Sequence, residues 1–510
     1  MVEAFRLRAP AVLPCDASCS VVRDAVVDVG ADGRLGYVGP ASAAPELSGV
    51  PVRELSGILL PGLINTHAHS PMTVLRGMGG DLPLMSWLQD VIWPAEGRLD
   101  GDDVRTGMRL GAVEMLRHGV TTSVEMYFYG EQMVEAVLEV GSRMVLTPAV
   151  IAAPGWDRLG SWLHMTDQIS AWIDADGLRF GPGERIELGY GPHSAYTLPA
   201  EALPVIAAEA KQRSALLHIH VAESLAEDQH VRDAHGSVPL LLNSLGVFGG
   251  RVLTAHSVHL SDVDIQLYAA NAVGVAHCPG SNAKLASGTA RLLDLRRHGV
   301  HVGLGTDGPA SNDDLDLWEE LQLSAMLARL SSADAAALTA AQALLMATRG
   351  GAAAIGRADL GTLAPGYWAD LVHIDLDDPA FAAGLDVPNP QLISNLVWAA
   401  GSRRVRDVWV AGSPVVAAGE STQIDRVSAA SEVRKVTHRG RVSEWTLNPL
   451  WVQLDREVHE EFGIQRLFLV SRGRRLPIAT FLAPEEKASF ATALAAAIGE
   501  AKRGPTRTVF

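Results

Sequence analysis

Residues 58–69 read ILLPGLINTHAH, an apolar run of strand length that ends in two histidines two positions apart. Residues two apart on a strand point to the same face, so His67 and His69 can reach one common point. The pattern recurs downstream. Further runs follow at VTTSVEM (120–126), RMVLTPAVI (143–151), RIELGYGPH (185–193), ALLHIHVAE (215–223), RVLTAHSVH (251–259), VGVAHCPG (273–280) and HVGLGTDG (301–308), making eight with the first. Longer amphipathic segments separate them. In the first such segment Asp102 and Asp103 are placed to cap a helix, Val104, Met108, Gly111 and Met115 share a face, and His118-Gly119 ends it. Eight alternations predict a (β/α)8 TIM barrel over 59–357, whose chemistry sits at the C-terminal ends of the strands.

The flanks read differently. Residues 21–60 carry short β-rich runs around the turn Ala31-Asp32-Gly33, and β character returns in LGTLAPGYWADLVHIDL and RRVRDVWVAGSPVV. Segments 1–58 and 358–430 are expected to join in a small β-sandwich. From 431 to 510 the charged run EVRKVTHRGRVSE precedes two or three strands and a helix, a separable C-terminal α+β appendage.

Composition limits the partners. The 510 residues are 48% hydrophobic and 20% charged, a globular mixture, and 42 basic against 58 acidic side chains leave a net charge of -16. Such a balance repels nucleic-acid phosphates and anionic lipid, so neither nucleic acid nor membrane is an expected partner. Cys15, Cys19 and Cys278 cannot build a disulfide framework, and no apolar run approaches the roughly 18 residues of a membrane span. A soluble, cytoplasmic protein is expected.

Of the 17 histidines, those at strand ends carry the argument. His67 and His69 close the first strand, His193 the fourth, His220 the fifth and His256 the sixth, and Asp307 closes the eighth. Three imidazoles from His67, His69 and His220, with an oxygen from Asp307, suit one divalent ion, zinc or iron(II), and leave a position for water, as a catalytic site requires. His218 shares the face of His220 and is the rival ligand. Glu223 follows His220 by three, where the strand turns into its loop, and this favours His220 while giving Glu223 the part of an acid/base. His256 is placed to hydrogen-bond the attacking water or the substrate, and His277 reads as structural. Gly303-Leu-Gly305-Thr-Asp-Gly308 spells G-x-G-x-x-G but lies in the last strand, so it implies no dinucleotide.

In order and spacing, PGLINTHAHSPMTVLRG, YGPHSAY, HIHVAES, TAHSVHL, HCPGSNAKL and LGTDGPASNDDLDLWEEL resemble the amidohydrolase superfamily. The resemblance is to its aminohydrolase branch, and there to the S-adenosylhomocysteine/5'-methylthioadenosine deaminases, close to the triazine hydrolases. It covers about residues 20–425. It implies a single metal on His67, His69, His220 and Asp307, since strand four offers no lysine for a second, bridged ion. It further implies that Glu223 protonates N1 of an adenine, that Asp307 carries a proton from the water to the leaving ammonia, and that His256 orients the nucleophile. The product is the inosine analogue.

Around the nucleoside, Glu96 in IWPAEGRL matches an acid on the ribose hydroxyls, while Trp87, His193 and Ser311 match neighbouring positions. Relatives that use S-adenosylhomocysteine place arginines after strand three on the amino-acid carboxylate. Here Pro148 stands where the first belongs, leaving Arg158 for the second, which favours 5'-methylthioadenosine, 5'-deoxyadenosine or another 5'-modified adenosine. A homo-oligomer is expected. The rivals are an aminohydrolase or chlorohydrolase of triazines, guanine or pterins on the same fold and, from another class, a non-catalytic metal-binding scaffold, against which the pairing of Glu223 with Asp307 argues. The segment after 445 resembles a short bacterial domain of unknown function.

Overall fold

The computed structural model describes residues 2–152, 156–438, 452–459, 463–471, 474–478 and 484–503. They fall into two compact units, Met1–Thr437 and His438–Phe510.

All eight expected barrel strands form, at Leu63–Ala68, Val120–Glu125, Arg143–Leu146, Ile186–Pro192, Leu216–Val221, Arg251–His256, Gly274–His277 and Val302–Leu304. They pair in parallel in that order, and Val302–Leu304 closes the ring on Leu63–Ala68 through Leu304 and Asn65. Glycine permits the closure. A Cβ on Gly305 would stand 2.8 Å from Cβ of His67, a distance real side chains do not reach. The G-x-G spelling therefore reflects two strands pressed together.

The run read as one strand over 58–67 is two. Ile58–Pro61 pairs with Leu371–Ile374 in the other sheet, whereas Leu63–Ala68 enters the barrel. Gly62 makes the break, because a side chain there would collide with Thr121 on the second barrel strand. The helix Gly101–Arg117 buries Val104, Met108, Gly111 and Met115 as their spacing predicts. Its cap differs from the expectation: Asp100 accepts from the Asp103 N–H at 2.9 Å, and Asp103 accepts from the Asp100 N–H at 3.2 Å. Reciprocal satisfaction of two otherwise orphaned N–H groups outweighs the adjacent Asp102.

The terminal segments meet in one nine-stranded sheet that runs from Phe5–Val12 and its neighbours to Val405–Val410 and Ser413–Ala417. Leu7, Val27, Leu59, Leu371 and Trp409 share its core. Arg143 ties this sheet to the bottom of the barrel. Buried, it grips Asp370 with two bonds of 2.8 and 3.0 Å and donates to the carbonyls of Gly183 and Glu184. Removing one partner of such a pair costs about 3–5 kcal/mol, since the other charge is left buried alone.

The charged run over 432–444 is helical as far as His438, within Arg426–His438, and beyond that lies outside the described residues. Ala429 and Val433 on this helix are buried and Glu432 pairs with Arg109 at 2.5 Å, so a cut at 430 would fall inside a packed element. In the second unit Val452–His459, Gly463–Ser471 and Arg474–Ile478 form an antiparallel sheet. The helix Pro484–Arg503 contributes Ala491 to a small core with Ile464 and Leu467.

Candidate active site

Each candidate ligand leaves its strand at the C-terminal mouth of the barrel. His67 and His69 sit at the end of the first strand, His220 near the end of the fifth, His256 at the end of the sixth and Asp307 just past the eighth. Asp307 and His256 hold φ of 62° and 67°, the left-handed region that side chains avoid. Strain of this kind is retained where surrounding contacts over-determine the backbone, and it aims both side chains inward.

The ring nitrogens show why the cluster can hold a cation. The Thr147 hydroxyl donates to the Glu125 carbonyl at 3.0 Å, so its oxygen is left to accept from Nδ1–H of His218 at 3.1 Å. Neutral His218 then presents its Nε2 lone pair to Nδ1–H of His67 at 2.9 Å. Burial pushes the pKa of His218 well below its ordinary value and that of His67 down to about 3, so both rings stay neutral. Nδ1–H of His69 donates to the Met126 carbonyl at 2.5 Å, and Nδ1–H of His220 to the His193 carbonyl at 2.8 Å. Three Nε2 lone pairs are thereby turned to one point.

Around that point Nε2 of His69 lies 3.3 Å from Oδ1 of Asp307, and Nε2 of His67 lies 3.4 Å from the same oxygen. Nε2 of His220 is 3.4 Å from Nε2 of His69. The ligand atoms of His67, His69 and His220 lie within 4.8 Å of one another, as do those of His67, His256 and Asp307. Nε2 of His67 is buried without a hydrogen-bond partner. A buried lone pair beside two imidazoles and a carboxylate fits a divalent cation. Both nitrogens of His218 are engaged behind His67, whereas Nε2 of His220 faces the cluster.

Two residues to which the sequence reading gave no role steady the others. Ser281 donates to Oδ2 of Asp307 at 2.6 Å, and Oδ1 of Asn282 accepts Nδ1–H of His256 at 2.9 Å. Both belong to the short helix Pro279–Lys284 that turns the chain after the seventh strand, inside the motif HCPGSNAKL, where polar residues after a strand end were the available signal. Nε2 of His256 faces Oε2 of Glu223 at 3.8 Å. Burial raises the Glu223 pKa, partly offset by His256, so its carboxyl keeps a proton to higher pH than a solvated one.

A cavity opens above the cluster. Glu223, His256, His193, Trp87 and Glu96 line it, as does an apolar wall in which the Phe128 and Trp156 rings stack at 4.1 Å. His193 turns Nδ1 toward the hydroxyls of Ser194 and Thr197, at 3.2 and 3.1 Å. Trp87 anchors its Nε1–H on the Met78 carbonyl at 3.2 Å. Burial pushes the Glu96 carboxyl up to about 7, against the pull of Tyr127 and Arg158.

Two expected contacts lie elsewhere. Ser311 donates to the Gly308 carbonyl at 3.1 Å and does not reach the cavity. Arg158 lines a neighbouring cavity with Pro148, where it donates to the carbonyls of Leu99 and Glu96, each at 3.1 Å. Among the described residues no Lys or Arg lines the active cavity.

A sequence profile of the amidohydrolase family matches residues 58–415. A second profile, described as an integral membrane protein (DUF2244), matches residues 415–498, although no helix among the described residues is long and apolar enough to cross a membrane. The chain is 38% identical over 428 residues to a protein of Pelotomaculum thermopropionicum named 5-methylthioadenosine/S-adenosylhomocysteine deaminase, covering 83% of this chain and 96% of that one. Among solved structures, an adenosine deaminase from Xanthomonas campestris with bound zinc aligns at TM-score 0.78 and 33% identity, over 86% of this chain and 98% of that one. A triazine hydrolase from Arthrobacter aurescens aligns at TM-score 0.77 and 24% identity, over 86% of this chain and all of its own, and shares the fold. The amidohydrolase match takes in every barrel strand and every residue of the histidine and aspartate cluster: the chain belongs to the amidohydrolase family.

Proposed function

We propose that this protein is a metal-dependent hydrolytic deaminase of 5'-modified adenosines, which replaces the 6-amino group of the base by oxygen and releases ammonia. The observation that carries the reading is the convergence of three Nε2 lone pairs and Asp307 beneath a cavity that also holds the buried acid Glu223. The names of the relatives support it, and so does the alignment with a zinc-bound adenosine deaminase.

His67, His69, His220 and Asp307 would hold one divalent ion, zinc before iron(II), whose Lewis acidity brings the pKa of a water to roughly 7. Glu223, whose pKa burial raises, hands a proton to N1 of the ring, which makes C6 electrophilic. His256, its Nδ1–H fixed by Asn282, points Nε2 at the nucleophile and orients it. Asp307 accepts one proton from the attacking water and passes it to the amino nitrogen, which departs as ammonia, and the second proton, left on the C6 hydroxyl, returns to Glu223 as the 6-oxo product forms. Glu96 receives the ribose hydroxyls.

The finer substrate choice rests on the lining. An α-carboxylate that loses its water needs a cationic partner, and the described lining offers Glu96, Glu223 and Asp307 but no Lys or Arg. Stacked Phe128 and Trp156 and the neighbouring Ile151 offer apolar surface instead, which suits a 5'-methylthio or 5'-deoxy group better than a homocysteine tail. The test is ammonia release from 5'-methylthioadenosine beside guanine, a pterin and a triazine. Ammonia with the inosine analogue is expected from the first alone; release from guanine, pterin or triazine and none from any adenosine would overturn the reading.

A further inference from the structure

Glu320 stands in the first turn of the helix Leu317–Ser332, beneath the barrel mouth, and is buried. It is not among the residues that line the cavity. Its Oε2 accepts the Gly280 N–H at 2.9 Å, and its Oε1 meets Nδ2 of Asn312 at 2.9 Å. Gly280 belongs to the first turn of the short helix Pro279–Lys284 after the seventh strand, and Asn312 to the loop after the eighth, where its own N–H is bonded to the Gly308 carbonyl at 2.9 Å. Glu320 thus bridges the two loops that arm the site. A side chain at position 280 would collide with this carboxyl and with Asn312, so glycine is what lets the turn descend onto it.

We infer that Glu320 is a positioning residue of the hydrolytic site: by holding Gly280 and Asn312 together it fixes the turn that presents Ser281 to Asp307 and Asn282 to His256. The inference rests on the functional reading above for the roles of Asp307 and His256. Both oxygens of the Glu320 carboxyl accept, from the Gly280 N–H and from Nδ2–H of Asn312, and burial pushes the carboxyl up to about 8. Glutamine keeps the acceptor for Gly280 and, once the Asn312 amide turns to accept, the second bond as well. Leucine keeps the volume and offers neither.

The experiment uses the metal-loaded full chain and the variants Glu320→Leu and Glu320→Gln, each alone and combined with Asn282→Ala. It measures kcat and KM for 5'-methylthioadenosine, metal content, and hydrogen exchange over 275–285. Glu320→Leu is expected to lower kcat by about 10- to 100-fold, as small misplacements of catalytic groups do, with KM and metal content held and exchange in the turn accelerated. Glu320→Gln should stay within about threefold of the parent, and Glu320→Leu should cost less than about twofold further once Asn282→Ala has removed the group it positions. The inference is overturned if Glu320→Leu leaves kcat and turn exchange unchanged, if Gln is as damaging as Leu, or if the two losses multiply. Should Glu320→Leu not fold, Asn312→Ala removes one of the two bonds and must show the same kcat-specific loss in part. Hydrogen exchange reads the turn whether or not the substrate class is right, whereas a parent chain inert toward every adenosine analogue would sink the functional reading alone.

Discussion

His218 presents Nε2 to Nδ1 of His67 at 2.9 Å and so fixes which nitrogen of His67 faces the metal position. On the proposed assignment it orients a ligand without being one. Outer partners of this kind are typically worth about 10- to 100-fold in metal affinity, whereas loss of a ligand empties the site. His218→Ala is therefore expected to bind a full equivalent of metal more weakly, and His67→Ala or His220→Ala to lose metal and turnover together. Metal analysis with chelator competition decides; retention by His220→Ala and loss by His218→Ala would reverse the assignment on that strand.

Glu223→Gln should keep the metal and the substrate while losing about 10²- to 10⁴-fold in kcat, the usual weight of a positioned acid/base. The amide fills the same space but cannot deliver a proton. A variant within threefold of the parent would remove Glu223 from the chemistry.

Glu96 gives a pH dependence whose sign follows from burial. Its carboxyl is raised to about 7, so it is mostly neutral at pH 6 and mostly ionised at pH 8. Only the ionised form makes charge-assisted bonds to both ribose hydroxyls. Preference for a ribonucleoside over its 2'-deoxy analogue should grow as pH rises through about 7, and Glu96→Gln or Glu96→Ala should flatten it. Paired kcat/KM values at pH 6 and pH 8 check this, and a preference that shrinks with pH would place the acid elsewhere.

A chain ending at His438 is expected to fold, bind metal and deaminate, because the site and its supporting sheet lie within Met1–Thr437. Ending at Ala430 should instead lower Tm, since it removes the buried Val433 and the Glu432 partner of Arg109. Thermal unfolding of the two truncations separates them. A His438-terminated protein that folds and holds metal but lacks turnover would give the second unit a part in catalysis.

The strands and the clustering of the strand-end histidines were legible because their signals are local. An apolar run of strand length announces itself, and His-x-His at its end follows from the period of the pleat. What escaped depends on residues far apart in the chain or on competing local choices. The chain of bonds from Glu125 through Thr147 and His218 to His67 joins three strands and the residue that follows the third barrel strand. Gly62 splits an unbroken apolar run only because Thr121 occupies the space a side chain would need. At the first helix the cap was readable: Asp100 and Asp103 stand three apart, the spacing of a reciprocal cap, and the nearer aspartate drew attention away. Arg158 shows the limit of matching positions, for its guanidinium is spent on backbone carbonyls outside the cavity.

The central claim, a deaminase whose pocket favours an uncharged 5' group, is tested most directly by kcat/KM for 5'-methylthioadenosine, 5'-deoxyadenosine, S-adenosylhomocysteine and adenosine measured side by side on the metal-loaded chain. The account predicts ammonia from all four, with one of the first two equal to or better than S-adenosylhomocysteine, and adenosine weaker. A tenfold or greater preference for S-adenosylhomocysteine, or no ammonia from any of the four, would contradict it.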